Sequence, residues 1–183
     1  MSKTSPEGES QVISLRYIQV VPGVAIGLKI PCVGDTQRFC RLFRETWEQI
    51  PGKDREALLD YLRSHPVTLP PYHAGLETGL RLGLQRGKLT AGFPALADGH
   101  TIDFCGPYMD SIPDWTAKAV IAHELAHIHL RIGNPEHLGQ SFEKRKKAEH
   151  DANHLGDEWG FECRRAIDWH HEHVELWERC AGM

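Results

Sequence analysis

The spacing of apolar residues predicts a pair of helices in the first third of the chain. Apolar side chains recur every three or four residues within 36–49, and Thr36 is expected to cap this helix. Pro51 and Gly52 end it, and Asp54 opens a second helix that Pro66 stops. These segments, together 36–65, are expected to form a helical hairpin.

Three more helices are predicted in the second half. The next helix is expected to start at Pro113 and Asp114, with Asp114 as its N-cap, and helix-ending residues follow at 133–135. Its apolar residues between Ala119 and Leu130 spread around nearly the whole circumference, which is typical of a helix buried on most sides. Ser141 is expected to cap a helix over 141–159. An apolar stripe predicts one last helix over 163–180.

Strand signals are fewer. Residues 12–30 contain β-branched and apolar residues that favour one or two short strands, and residues 100–105 alternate as a strand does. Glycine and proline interrupt 66–99, where no element is assigned. Residues 1–11 are polar and expected to be disordered. The sequence therefore predicts one helix-rich α+β domain over 12–183, with a small sheet, a core at 100–162 and a C-terminal helix at 163–180.

Composition narrows the function. With 40% apolar and 25% charged residues and a net charge of −4, the chain is typical of a globular protein and gives no reason to expect nucleic acid or an anionic membrane as partner. Neither a transmembrane span nor a signal peptide is evident, so a cytoplasmic location is expected. The five dispersed cysteines read as free thiols, with a link between Cys32 and Cys40 as the alternative. Composition does not indicate an oligomeric state.

One motif in the buried helix carries candidate chemistry. The sequence VIAHELAHIHL places His123, Glu124 and His127 as HExxH. On a helix the two histidines project about 40° apart, and Glu124 lies about 60° beyond His127 on the same side. Two imidazoles can then share a metal while the carboxylate reaches its water. The alternative is that both histidines are satisfied core residues and Glu124 is an ion-pair partner.

This stretch resembles the active-site helix of zincin metallopeptidases. The resemblance implies a zincin-like fold and one catalytic Zn²⁺ that binds a water, with Glu124 as the general base and then the general acid in peptide hydrolysis. His129 departs from the family, which usually has an apolar residue there. The pattern HExxHxxGxxH is excluded because Leu130 and Gly133 occupy the positions where it needs Gly and His.

A third zinc ligand is expected from the helix at 141–159. On a helical wheel Glu149 borders the core face and is the best placed carboxylate, with Asp157 and Asp151 as alternatives, and Asn153 lies one turn further on. Glu149 to Asn153 reads ExxAN, which resembles gluzincin-type peptidases, including ImmA-like proteins. There the Glu is the third ligand and the Asn supports a ligating histidine. The resemblance covers about 113–161.

Other roles follow from the zincin resemblance or stay open. A strand before the active-site helix often forms the substrate edge in such proteins, which makes Ile102, Asp103, Phe104 and Cys105 candidates, with a core strand as the equal alternative. An oxyanion donor is also needed, and the sequence does not rank the candidates. They are Tyr108, His100, His137, His170, His171 and His173. The cluster His170 to His173 could instead bind a second metal or be solvated.

A zinc-dependent metallopeptidase acting on a peptide or protein is therefore the expected function. One alternative is a deformylase-like zinc amidohydrolase, with Cys105 or an upstream residue as third ligand. Another is a catalytically silent binding or regulatory module on a zincin scaffold.

Overall fold

The structure, a computed structural model, describes residues 16–24, 26–64, 79–86, 95–98, 100–131 and 141–182. Its strands are β1 (Arg16–Gln19), β2 (Ile26–Ile30), β3 (Leu80–Gln85), β4 (Ala95–Asp98) and β5 (Thr101–Cys105). Its helices are α1 (Thr36–Gln49), α2 (Gly52–Ser64), α3 (Gly106–Ser111), α4 (Asp114–His129), α5 (Phe142–Glu158), α6 (Cys163–Glu172) and α7 (Val174–Ala181). The predictions of disorder at 1–11 and of helix-ending signals at 133–135 lie outside the described residues.

The strands form one mixed sheet in the order β1-β2-β3-β5-β4. β2, β3 and β5 run parallel, and β1 and β4 pair antiparallel with their neighbours. Gly83 faces Asp103 in the register, and a Cβ on Gly83 would lie 2.0 Å from Asp103 Oδ1. A side chain at Gly83 would therefore displace the Asp103 carboxylate. The combination of helices with one small sheet agrees with the predicted α+β class.

The two predicted helices of this region are present as α1 and α2. α1 buries two phenylalanines and Trp47 in the core. The predicted cap is wrong by one residue, because the Asp35 carboxylate accepts the hydrogen bond from the Arg38 backbone at 2.9 Å, which makes Asp35 the N-cap. α2 begins at Gly52, two residues before the predicted start at Asp54.

A short helix, α3, follows β5 where the sequence predicts only the end of a strand. It begins at Gly106, and a Cβ there would lie 1.7 Å from the Val33 carbonyl oxygen, so the close approach of these backbones requires glycine. Arg38 of α1 fixes the junction of α3 and α4. Its guanidinium donates to the Met109 carbonyl, to the Ile112 carbonyl at 2.8 Å and to the Asp114 carboxylate at 2.7 Å.

α4 is the centre of the helical layer, as its apolar circumference predicts. It contacts α1, α2, α5, α6 and β4. Small residues let these neighbours approach closely, and the fully buried ones include Ala117, Ala119, Ala122 and Ala126. The predicted cap Asp114 is instead the first helical residue, after Pro113. None of the helices in the described ranges has both the length and the apolar character needed to cross a bilayer.

The C-terminal part differs from prediction. The helix capped by Ser141 is confirmed as α5, with the Ser141 hydroxyl accepting from the Lys144 backbone. The single helix expected over 163–180 is wrong. His173 leaves the helical conformation (φ −122°, ψ 32°) and separates α6 from α7. Its ring stacks on Trp169 with centroids 4.0 Å apart, and α7 packs against α3.

Candidate metal centre

Two histidines on α4 and one carboxylate on α5 converge. His123 Nε2 and His127 Nε2 lie 2.9 Å apart, because residues four apart on a helix share a face. Glu149 Oε2 lies 3.2 Å from His123 Nε2 and 3.6 Å from His127 Nε2. Within the described ranges, these residues form a group of metal-ligand type whose ligand atoms all lie within 4.8 Å of one another.

The donor set and its spacing suit zinc. Ligand atoms at zinc bond lengths in a tetrahedron lie about 3.3–3.4 Å apart. The three separations of 2.9, 3.2 and 3.6 Å fall on both sides of that value. Two imidazole nitrogens and one carboxylate oxygen are also the ligands of many catalytic zinc sites, which keep a fourth position open.

Asn153, one turn after Glu149 on α5, contacts the other nitrogen of His123. Its Oδ1 lies 2.8 Å from His123 Nδ1. Because an amide oxygen can only accept, the proton must be on Nδ1, and the Nε2 lone pair then points towards His127 and Glu149. This contact sets the tautomer that a metal ligand needs.

Glu124 and Glu149 have opposite pKa shifts. Burial raises the pKa of Glu124, which is 6% exposed, although His123, His127 and a hydrogen bond from the Ala97 backbone partly offset this. Burial also opposes ionisation of Glu149, but its contacts with His123 and His127 outweigh burial and lower its pKa. Glu149 is therefore the carboxylate held as an anion, and Glu124 is the one with raised proton affinity.

The alternative third ligands lie away from His123 and His127 in the structure. Asp151 pairs with the Lys147 ammonium on the exposed side of α5. Asp157 accepts hydrogen bonds from the Arg164 guanidinium and from the Arg164 backbone, the latter at 3.3 Å. Cys105 is fully buried at the end of β5 and is not in the metal-ligand group.

The predicted substrate edge is also misplaced. Ile102, Asp103, Phe104 and Cys105 lie in β5, which pairs with β3 on one side and β4 on the other. β5 is therefore an interior strand. Among the described strands, β4 is the outermost one on this side. It contacts α4, and its Ala97 backbone bonds to Glu124.

The structure separates the candidate oxyanion donors. Tyr108, His170 and His171 line a cavity of about 330 Å³ that also reaches His123 and Glu124. The Tyr108 hydroxyl lies 2.8 Å from His170 Nδ1, and burial lowers the pKa of His170, with His171 adding to the effect. His100 instead bonds to the Gly79 carbonyl at 2.9 Å. His137 lies outside the described residues.

The histidine cluster at the C-terminus does not converge on a second metal within the described residues. His170 bonds to Tyr108, whereas His173 Nδ1 contacts the Trp169 carbonyl at 2.8 Å. The sequence missed that α6 forms one side of the cavity, through residues such as Ala166 and Ile167. In the sequence, Ala166 is only one member of the apolar stripe that predicts the last helix.

Comparisons with family models, with curated proteins and with solved structures find no match for this chain. The geometry of the site is therefore what supports a function.

Proposed function

We propose that this protein is a zinc-dependent metallopeptidase of the zincin type, with His123, His127 and Glu149 as metal ligands and Glu124 as the general base. The observation that carries the proposal is the convergence of the three ligand atoms, all within 4.8 Å, beside a buried carboxylate. Two imidazole nitrogens and one carboxylate oxygen that lie this close together can share one cation.

A zinc ion held there would act as a Lewis acid on a carbonyl and lower the pKa of nearby water towards 7. Glu124 accepts a proton from the attacking water as the new C–O bond forms. It returns that proton to the amine nitrogen as the C–N bond breaks. Burial suits Glu124 to this exchange, because a base with a raised pKa holds a proton more readily near neutral pH.

The surroundings of the site support a peptide as substrate. The cavity beside His123 has the size of a side-chain pocket, and the outermost described strand, β4, lies against α4. An extended chain can pair with such a strand through main-chain hydrogen bonds, which tolerates many sequences. The cysteines of the described chain are all free thiols, and this suits a cytoplasmic protein.

The proposal is tested by metal analysis and peptide digestion of the full chain and three variants. We expect one zinc per parent chain, a large loss of zinc in Glu149→Ala and no loss in Asp151→Ala, because the Asp151 carboxylate on the same helix pairs with Lys147 instead. Glu124→Gln should keep its zinc and lose about 10²–10⁴-fold in the rate of peptide hydrolysis.

The outcomes separate the alternatives. A parent that binds zinc but cleaves no member of a peptide library would contradict the peptidase role and favour a binding module. Unchanged hydrolysis in Glu124→Gln would exclude this residue as the base. Zinc retained in Glu149→Ala would refute the ligand set.

A further inference from the structure

The first two turns of α5 are exposed on all sides. Every residue in 141–147 is exposed, whereas the buried residues of this helix, Ala152, Asn153 and Gly156, all lie in its second half. Phe142, the first helical residue, is 69% exposed. These turns therefore offer their whole circumference to a partner.

Four consecutive cations occupy these turns, in an arrangement that a helix by itself disfavours. They are called the basic segment here: Lys144, Arg145, Lys146 and Lys147. They lie close to the N-terminus of α5, where the helix dipole favours anions over cations. Lys144 and Lys147 are three residues apart, so they share a face and repel each other.

Most of this charge is not neutralised within the fold. Lys147 pairs with the Asp151 carboxylate. The other three cations of the basic segment form no ion pair with any acid in the described part of the chain. Glu149, further along the helix, contacts the two histidines of the metal centre instead. A local arrangement that costs stability without an internal compensation indicates a functional role.

The basic segment lies beside the candidate metal centre. Arg145 and Lys146 precede Glu149 by four and three residues, which is about one helical turn or 5.4 Å along α5. A polypeptide whose backbone reaches the metal centre therefore comes within reach of both side chains.

We propose that the basic segment binds an acidic stretch of the polypeptide substrate, on one side of the bond that is cleaved. Asp and Glu side chains of that stretch would pair with the cations, and the N-terminal end of α5 would also favour their negative charge. Phe142 provides an exposed aromatic ring at the same end for an apolar side chain of the stretch. The assignment to a substrate rests on the proposed peptidase function.

A short acidic stretch fits this surface better than a long polyanion does. The whole chain carries a net charge of −4 with the basic segment included, so the rest of the chain is more negative still. A nucleic acid or an anionic membrane would extend beyond the basic segment and meet that negative charge.

Peptide binding tests the surface without requiring catalysis. A fluorescein-labelled peptide that contains four Glu residues is titrated with the full chain and followed by fluorescence anisotropy. The matched peptide has Gln in place of each Glu. We expect the acidic peptide to bind at least about tenfold more tightly at low ionic strength, and its affinity to fall as salt is added.

Removing the charges should abolish this preference. The triple variant Lys144→Gln/Arg145→Gln/Lys146→Gln should bind the acidic peptide at least about tenfold more weakly than the parent. The control replaces three exposed cations of other helices with Gln, at Lys53, Arg63 and Arg179.

The control variant should bind the acidic peptide as the parent does. The triple variant should unfold at the same or a higher denaturant concentration than the parent, because it removes repulsion between cations near a helix N-terminus. A loss of binding with this stability cannot be attributed to misfolding.

Peptide cleavage then tests the link to the substrate. Peptides with one fixed cleavable sequence and a flanking stretch of four Glu or four Gln residues are compared by kcat/KM. We expect the Glu-flanked peptide to exceed the Gln-flanked peptide at least about tenfold with the parent, and this advantage to fall below about twofold with the triple variant.

The results distinguish this inference from the proposed function. Equal cleavage of both peptides by the parent would overturn the docking surface and leave the peptidase intact. Binding of the acidic peptide without cleavage of any peptide would overturn the substrate assignment together with the peptidase.

Two further outcomes concern the surface itself. Equal binding of the acidic peptide by the parent and the triple variant would refute the basic segment as the docking surface. Tighter binding of duplex DNA or of phosphatidylserine vesicles than of the acidic peptide, lost in the triple variant, would overturn the choice of an acidic polypeptide as partner.

Discussion

His123 Nδ1 lies 2.8 Å from Asn153 Oδ1, and the Nε2 atom of the same ring lies 3.2 Å from Glu149 Oε2. Asn153 and Glu149 are one turn apart on α5, so a single helix contributes one candidate ligand and also orients a candidate ligand of the neighbouring helix. The packing of α4 against α5 therefore determines both the position and the tautomer of His123.

Removing Asn153 should weaken zinc binding without removing a ligand. We expect Asn153→Ala to lower zinc affinity about 10- to 100-fold, because His123 loses the acceptor that fixes its tautomer. Asn153→Asp keeps an acceptor and should retain most of the affinity. Competition with a chromophoric chelator measures both variants. The exposed neighbour His154→Ala is the control, and equal affinity in Asn153→Ala and the parent would rule out this role.

Gly156 should tolerate no side chain unless Cys163 changes as well. A Cβ on Gly156 would lie 2.3 Å from Cys163 Sγ but 4.0 Å from the His123 backbone nitrogen. The absence of a side chain at Gly156 is therefore needed for the close approach of α6 rather than of α4. We expect Gly156→Ala to lower the free energy of unfolding by about 1–2 kcal/mol, because the clash outweighs the helix propensity of alanine.

A double-mutant cycle isolates that contact. Adding Cys163→Ala to Gly156→Ala removes the clashing sulfur, so the double variant should be more stable than the sum of the single effects by at least about 1 kcal/mol. Gly52→Ala is the control, since nothing lies within 4 Å of its Cβ position. Additive effects in chemical denaturation would contradict this explanation.

Asp157 should contribute to stability rather than to metal binding. It joins α5 to α6 through the Arg164 backbone and guanidinium, and its side chain is largely buried. We expect Asp157→Ala to lower the free energy of unfolding by about 1–2 kcal/mol and to leave zinc stoichiometry unchanged. Urea denaturation and metal analysis of the same sample measure both. A loss of zinc at unchanged stability would restore Asp157 as a ligand.

His170 should make stability depend on pH below neutrality. Burial lowers its pKa, so the unfolded chain binds a proton on this ring more readily than the folded protein does. The contribution of neutral His170 to the free energy of unfolding is fully present above the ordinary histidine pKa of about 6.5. It is lost as the pH falls towards the lower pKa that His170 has in the folded protein.

The corresponding variant is His170→Gln, which can still accept a hydrogen bond from Tyr108. Between pH 7 and pH 5 we expect it to lose less stability than the parent, as measured by chemical denaturation at each pH. His150→Gln changes an exposed histidine and should follow the parent. Parallel pH curves for His170→Gln and the parent would show that His170 has no such effect.

Local patterns predict most of the helices and the residues of the candidate metal centre, because the signals for them lie within a few residues. The apolar circumference of α4 and the spacing of His123 and His127 depend only on helical geometry. Glu149 could be selected because a helical wheel places it beside the core face. Neither feature depends on which distant segments pack together in the fold.

The misplaced features depend on contacts between distant segments. In the sequence, Gly79 and Gly83 indicate only that no long helix forms. In the structure Gly83 lies within β3, where the Asp103 carboxylate of β5 occupies the space that a Cβ would need. β5 is interior because β4 returns antiparallel along its free side. The break at His173 follows from the packing of α7 on α3, and neither Gly nor Pro marks it.

The central position of α4 affects how the site can respond to different ions. Because neighbours enclose this helix, His123 and His127 can shift little, and their side chains are 17% and 10% exposed. Glu149 lies at the rim with its side chain 46% exposed. An ion of larger or smaller radius would therefore be accommodated by movement of the carboxylate, and selectivity among divalent metals would be set mainly by the freedom of that single side chain.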